Sequence, residues 1–138
     1  MQSVEGNQSR VLVVDDEAHI VMVVALKLRN AGFDVETAGD GDEALAILQG
    51  SATMNRAINL VVTDLQMPIM NGIELARAMN QDARLAKIPV LMLTARGHLL
   101  REGEATDANI ARVIHKPFSP KGLLLEVERL LGLGGLAA

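Results

Sequence analysis

Two patterns of apolar and polar positions alternate along the chain: short, continuous apolar runs and longer stretches with helical periodicity. Short apolar runs, rich in Val, Leu and Ile, are typical of strands buried on both faces, and longer amphipathic stretches between them predict helices. The predicted strands are 11–14, 33–38, 60–63, 88–93 and 112–115. The predicted helices are 18–31, 43–49, 71–80, 96–111 (with a poor apolar face) and 120–131.

Strand and helix alternate five times, with no internal repeat and no linker to a second domain. This order predicts an α/β fold: a parallel sheet with right-handed crossovers and helices on both faces. Residues 10–131 form the predicted domain, preceded by a polar, disordered leader (1–9) and followed by a flexible Gly/Ala-rich tail (132–138).

Local residue chemistry supports several predicted helix ends. Gly32 follows the first helix as a left-handed cap. Asn71 and Ser119 are the predicted N-caps of the third and last helices, and Pro120 occupies the first turn of the last one.

Composition limits the classes of protein. The chain has 138 residues, about half of them apolar, yet no Trp or Tyr and only two Phe, which predicts an aliphatic core. With no cysteine there are no disulfides or thiolates, in agreement with a cytoplasmic location. No apolar run reaches the ~18 residues of a membrane span, and the start lacks the pattern of a secretion signal. A net charge of −4 without a Lys/Arg cluster argues against direct nucleic-acid binding.

Polar groups stand where the apolar runs end. Asp15 and Asp16 follow the first strand, Asp64 ends the third, Thr94 ends the fourth and Lys116 follows the fifth. The carboxyl ends of parallel strands share one edge of a sheet, where ligands bind in open α/β folds. These five side chains are therefore predicted to converge.

Three converging carboxylates need a compensating cation. At an effective dielectric of 20, two charges 4 Å apart repel by about 4 kcal/mol, so a proton or a metal ion must relieve the cluster. Only oxygen ligands are available, which favours Mg²⁺. With a hydroxyl from Thr94 and an ammonium from Lys116, the set suits Asp64 attacking a phosphoryl group to give an aspartyl phosphate.

The motifs Asp15-Asp16, Asp64 with Met67-Pro68 and Asn71-Gly72, Thr94-Ala95, and Lys116-Pro117-Phe118 occur in order, at the ends of the first, third, fourth and fifth strands. In this respect the chain, over about residues 10–131, resembles the receiver domains of response regulators in two-component signalling. The resemblance implies a flavodoxin-like (βα)5 fold, a doubly wound parallel sheet with strand order 2-1-3-4-5. It also implies phosphate transfer to Asp64 from a phosphohistidine on a sensor histidine kinase or histidine phosphotransferase. The phosphorylated form would then bind a downstream protein, with no catalysis beyond its own phosphorylation and slow dephosphorylation.

The resemblance also implies residue roles. Mg²⁺ would be ligated by Asp16, by Asp64 and by the backbone carbonyl of Gln66, with Asp15 acting through a water molecule. Thr94 would hydrogen-bond a phosphoryl oxygen and pull its loop inward. Lys116 would pair with the phosphate, and the Lys116–Pro117 peptide bond is commonly cis in the family.

Two positions depart from the family pattern. Val113, three residues before Lys116, stands where an aromatic side chain usually takes part in the switch. The change on phosphorylation would instead travel through loop and helix shifts around residues 96–111. Gln66 and Arg96, two residues beyond Asp64 and Thr94, occupy positions that overhang the acyl phosphate and could lengthen its lifetime; otherwise both are ordinary surface residues.

The first helix carries more apolar residues than one buried stripe requires. Ile20, Val23, Val24 and Leu28 suffice for that stripe, and a second apolar face is predicted to comprise Val21, Met22, Ala25 and Leu26. That face predicts a homodimer or partner contact, unless a neighbouring loop or the tail covers it.

Two other functions share parts of this pattern. A small-molecule phosphatase with an aspartyl-phosphate intermediate would need an acid/base Asp two residues after its nucleophile, where this chain has Gln66. A flavin-binding flavodoxin would need a Ser/Thr-rich phosphate loop and aromatic residues to stack on the flavin ring. This chain lacks both features.

Overall fold

The computed structural model describes residues 9–95 and 109–133, which form five strands and four helices. The strands are β1 (Arg10–Val14), β2 (Asp34–Ala38), β3 (Leu60–Asp64), β4 (Val90–Thr94) and β5 (Ile110–His115). The helices are α1 (Ala18–Asn30), α2 (Gly41–Thr53), α3 (Gly72–Asn80) and α4 (Pro120–Leu130). The predicted leader, most of the tail and the helix predicted from residue 96 lie outside the described residues, except for residues 109–111.

All the strands pair in parallel, in the order β2-β1-β3-β4-β5. The predicted doubly wound sheet is therefore confirmed. Strands β1, β3 and β4 are buried along their whole length, since helices cover both faces of the sheet.

Two apolar clusters lie on opposite faces of the sheet. One contains residues of α2 and α3, such as Leu48 and Met79. The other contains residues of α1 and α4, such as Leu28 and Val127. Successive residues of a strand point to opposite faces, so each apolar run of the central strands supplies both clusters.

Helix α2 is longer than the predicted 43–49. It begins at Gly41, after Asp40 accepts a hydrogen bond from the backbone N–H of Glu43, and it continues through Gly50 to Thr53. Gly50 weakens a helix locally, but Ala52 packs against the apolar cluster beyond it. Tertiary packing thus outweighs the local preference of Gly50.

Strand β5 begins two residues before the predicted position. Ile110 and Ala111 were assigned to a helix on sequence grounds, yet Ile110 pairs with Val90 and lies in the sheet. The register shifts between Val90 and Leu91, so that Ala111 has no partner in β4. An irregularity of this kind leaves little period-2 signal in the sequence.

The predicted second apolar face of helix α1 is wrong at one residue, Ala25. Ala25 is buried in the cluster beneath α1, whereas Met22 is 66% and Leu26 is 57% exposed and Val21 is half-buried. Helix α1 also covers the edge strand β2, where Val35 lies in the same cluster. The buried stripe is therefore wider than packing on one strand would require.

The predicted caps and the predicted cis peptide bond are present. Gly32 has φ 100°, and the Lys116–Pro117 bond is cis. Asn71 and Glu74 form a reciprocal capping box at the start of α3, and Ser119 caps α4. Within residues 9–95 and 109–133, no helix has the length and apolar character needed to cross a bilayer.

Candidate functional site

The predicted polar groups lie at the carboxyl edge of the sheet. Asp15 immediately follows β1, and Asp64 and Thr94 are the last residues of β3 and β4. The backbone N–H of Lys116 donates to the carbonyl of Thr94 at 2.7 Å, which places the end of β5 beside the end of β4. The central strands, rigid and buried, thus position the site.

Three carboxylates form a compact cluster. Asp15, Asp16 and Asp64 each offer one oxygen, and these oxygens lie within 4.8 Å of one another. Asp15 is 1% and Asp64 is 5% exposed, while Asp16 is exposed at the edge. Such a set of hard oxygen donors, open on one side, could hold a divalent cation with water completing its shell.

Lys116, which follows the edge strand β5, contacts the cluster through its ammonium group. Its ammonium nitrogen lies 3.1 Å from Asp64 Oδ1, 3.3 Å from Asp15 Oδ2 and 3.7 Å from Glu17 Oε1. The Lys116 side chain is itself largely buried. One ammonium therefore serves several carboxylates, and Asp15 also accepts a hydrogen bond from the backbone N–H of Glu17 at 2.9 Å.

Burial raises the pKa of both inner carboxyls above its usual range. Loss of solvent is the largest cause of the raised pKa of Asp15 and of Asp64. Lys116 lowers each pKa without cancelling that effect. The pKa of Lys116 is raised: burial, the largest influence, lowers it, but Asp64 and Asp15 together outweigh burial. The buried environment therefore still disfavours the ionised forms of Asp15 and Asp64, even with Lys116 beside them.

Thr94 contributes a buried hydroxyl without a partner. Thr94 is 0% exposed, and its Oγ1 makes no hydrogen bond with any residue in the described ranges 9–95 and 109–133. An unpartnered buried hydroxyl is costly, and a phosphoryl oxygen bound nearby would provide an acceptor.

The loop after β3 packs tightly against the site. The N–H of Gly72 donates to the carbonyl of Leu65 at 2.8 Å. A Cβ atom at Gly72 would lie 2.6 Å from the carbonyl oxygen of Asp64 and from the sulfur of Met92. Only glycine fits there without displacing the backbone of Asp64.

Within the described residues, the structure gives no hydrogen bond or ion pair between the other predicted residues and the carboxylate cluster. Gln66 is exposed, two residues beyond Asp64, and ligation through its carbonyl stays a prediction. Arg96 lies outside the described residues. Val113 pairs with Met92 and packs against the cluster beneath α2 and α3, where no aromatic side chain takes its place. Glu17 was not singled out from the sequence, although it extends the run Asp15-Asp16 by one acid.

Comparison with known proteins agrees with this geometry. The family model of the response regulator receiver domain matches residues 11–128. The chain belongs to the response regulator receiver family. Its sheet order is thus that of a receiver domain of two-component response regulators.

Several relatives contain this receiver domain within longer chains. The chain is 35% identical over 127 residues to "Probable transcriptional regulator ycf27" of Cyanophora paradoxa, covering 92% of this chain and 50% of that protein. It is 34% identical over 127 residues to "Transcriptional regulatory protein ResD" of Bacillus subtilis, again covering 92% of this chain and 50% of that one. The chain thus spans about half the length of these regulators.

Solved structures extend the similarity to whole chains. The chemotaxis response regulator CheY4 of Vibrio cholerae has a TM-score of 0.79 and 34% identity, covering 88% of this chain and 98% of that chain. A receiver domain protein from Clostridium thermocellum has a TM-score of 0.79 and 25% identity, covering 94% and 99%. The receiver fold can therefore occupy nearly a whole chain.

Proposed function

We propose that the receiver domain accepts a phosphoryl group on Asp64 and switches protein contacts when phosphorylated. The observation that carries this proposal is the placement of Lys116 at the carboxyl edge of the sheet. Its ammonium nitrogen lies 3.1 Å from Asp64 and 3.3 Å from Asp15, so groups at the ends of β1, β3 and β5 meet there. Capping or dipole compensation would need a single acid near α1. It would not need a buried carboxylate on β3 and an ammonium from β5 as well.

We further propose that the carboxylate cluster takes Mg²⁺. Asp16 and Asp64 would bind the ion together with the carbonyl of Gln66, and Asp15 would act through water. The bound ion would neutralise developing charge on the phosphoryl oxygens. This assignment is supported by the oxygen-only donor set and by the raised pKa of both inner carboxyls.

The protein's own groups then have separate roles in the transfer. A carboxylate oxygen of Asp64 attacks phosphorus in line, an O–P bond forms, and the N–P bond of the donor's phosphohistidine breaks. The bonding pair stays on the imidazole nitrogen, which takes a proton. Lys116 balances charge on the equatorial oxygens, and the free hydroxyl of Thr94 donates to one of them.

Two kinds of protein partner follow from this role. A sensor histidine kinase or histidine phosphotransferase would supply the phosphate, and a downstream protein would read the phosphorylated form. Val21, Met22 and Leu26 form an apolar surface, here called the α1 patch, beside an open groove of about 610 Å³ that reaches Asp16. We assign a partner or homodimer contact to the α1 patch, because exposed apolar groups cluster there.

Incubation with acetyl phosphate and Mg²⁺, followed by intact-mass measurement, tests the proposal. The wild-type chain is expected to gain the mass of one phosphate, and the gain should disappear on chelation. Asp64→Asn should gain none, while Asp82→Asn, which removes an acid outside the cluster, should behave as wild type. Phosphate incorporation by Asp64→Asn equal to that of wild type would refute Asp64 as the acceptor.

A further inference from the structure

The loop between β3 and α3 contains an unusual backbone conformation at Ile69. Its φ is 71°, and the N–H of Met70 donates across it to the carbonyl of Pro68 at 2.7 Å. This bond defines the rare form of γ-turn whose central residue has positive φ. A β-branched residue seldom adopts that conformation.

The side chain of Ile69 is also 82% exposed, more than any other large apolar side chain in the described residues. Two penalties therefore fall on one residue, since the backbone is strained and the apolar group faces water. Glycine or asparagine would relieve both. Asn55, the other non-glycine residue with positive φ in the described part of the chain, has a side chain suited to that conformation.

The turn is held in place from both sides. After it, the N–H of Gly72 donates to Leu65, the residue next to Asp64. At the first residue of α2, a Cβ atom at Gly41 would lie 2.8 Å from Met70, so the loop is in close contact with the start of that helix. Ile69 is thus fixed at the edge of the site, five residues from Asp64.

We infer that Ile69 is an apolar contact for the protein that delivers the phosphoryl group, an inference that rests on the proposed function. Asp64 is only 5% exposed, so a protein donor reaches it only by covering the surrounding edge. Among the exposed neighbours, Asp16, Glu17 and Gln66 are charged or polar, whereas the prolines Pro68 and Pro117 offer only small apolar rings. Ile69 adds the largest exposed apolar side chain to that edge, where a donor protein covering Asp64 can bury it.

Two phosphoryl donors separate this role from the chemistry of the site. The small donor is acetyl phosphate with Mg²⁺. The protein donor is the autophosphorylated kinase that labels wild type fastest in a panel of purified histidine kinases. Ile69→Asn keeps the turn and removes the apolar group, Ile69→Leu keeps an apolar group, and Met54→Asn removes a side chain 68% exposed at the far end of α2.

With the kinase as donor, Ile69→Asn is expected to lower kcat/KM about tenfold, the effect of losing one good apolar contact. Ile69→Leu and Met54→Asn should remain near wild type. With acetyl phosphate, all variants should match wild type, and the thermal midpoint of Ile69→Asn should be equal or higher because strain is removed.

Four outcomes would overturn the inference. They are an unchanged kinase rate for Ile69→Asn, an equal loss with both donors, a loss in Ile69→Leu as large as in Ile69→Asn, and no kinase in the panel exceeding acetyl phosphate. A change in solution mass of Ile69→Asn with kinase transfer unaltered would identify a second copy as the occupant instead. Failure of wild type to react with acetyl phosphate would count against the proposed function and is read separately.

Discussion

Lys116 Nζ lies 3.1 Å from Asp64 Oδ1, yet the pKa of the Asp64 carboxyl remains raised. Burial and the neighbouring acids Asp16 and Glu17 together outweigh the ammonium. A cluster with more negative charge than one lysine can balance favours the binding of a further cation. The same imbalance has measurable effects on stability.

Magnesium is expected to stabilise the folded receiver domain. A ligand that binds only the native state adds about 2.7 kcal/mol at 100 times its Kd. Thermal unfolding in MgCl₂, compared with choline chloride at equal ionic strength, should show a higher midpoint. Asp64→Asn should lose most of that increase, whereas Asp82→Asn should retain it. Equal midpoints of wild type in the two salts would contradict the metal site.

Removing the Asp64 carboxylate is expected to stabilise the metal-free protein. Asp64→Asn replaces a buried charged group with a neutral one of the same size. We expect about 0.5–2 kcal/mol of added stability at neutral pH, typical of relieving a strained functional site. Urea unfolding of both proteins in EDTA measures this difference.

The gain should depend on pH with a definite sign. Because the folded pKa of Asp64 is raised, the native state binds its proton more tightly than the unfolded chain does. The carboxyl is therefore least unfavourable below the ordinary Asp pKa, and stability is lost as pH rises through the raised pKa. The advantage of Asp64→Asn should thus grow from acid to neutral pH, and an advantage that shrinks over that range would contradict the assigned direction.

Replacing Thr94 should separate stability from function. Thr94→Val keeps the shape and removes a buried hydroxyl that has no partner among the described residues, so stability should rise by about 1 kcal/mol. Phosphorylation by acetyl phosphate should slow about tenfold, the loss of one hydrogen bond in the transition state. Thr94→Ser keeps the hydroxyl and should react near the wild-type rate. Destabilisation by valine would mean that the hydroxyl already has a partner.

The arrangement of strands and the converging acids could be predicted from local pattern. Val11–Val14 is a continuous apolar run because β1 is buried on both faces. The parallel order then places Asp15, Asp64 and Lys116 at one edge, whatever the details of packing. The polar residues that follow these apolar runs therefore predict the cluster.

Features that depend on tertiary contacts could not be predicted in this way. Gly50 lies inside α2 because residues beyond it pack on the core, and Ala25 is buried because α1 also covers β2. The positive φ of Ile69 contradicts its local preference and occurs in a loop that is closed by the bond from Gly72 to Leu65 and that packs through Met70 on Gly41. Local propensity contains no record of these contacts.

The α1 patch provides the last prediction. Met22→Gln with Leu26→Lys changes only exposed side chains, so the fold and the reaction with acetyl phosphate should be unaltered. By contrast, Ala25→Lys places a charge in the core and should destabilise the protein by several kcal/mol. Loss of two exposed apolar contacts should weaken a partner about tenfold or more. Kinase-driven phosphorylation and mass in solution together identify the occupant: a slower transfer indicates the phosphodonor, and a lower mass indicates a second copy. If both stay at wild-type values, the patch is not a contact for either, and its exposed Met22 and Leu26 are ordinary surface residues.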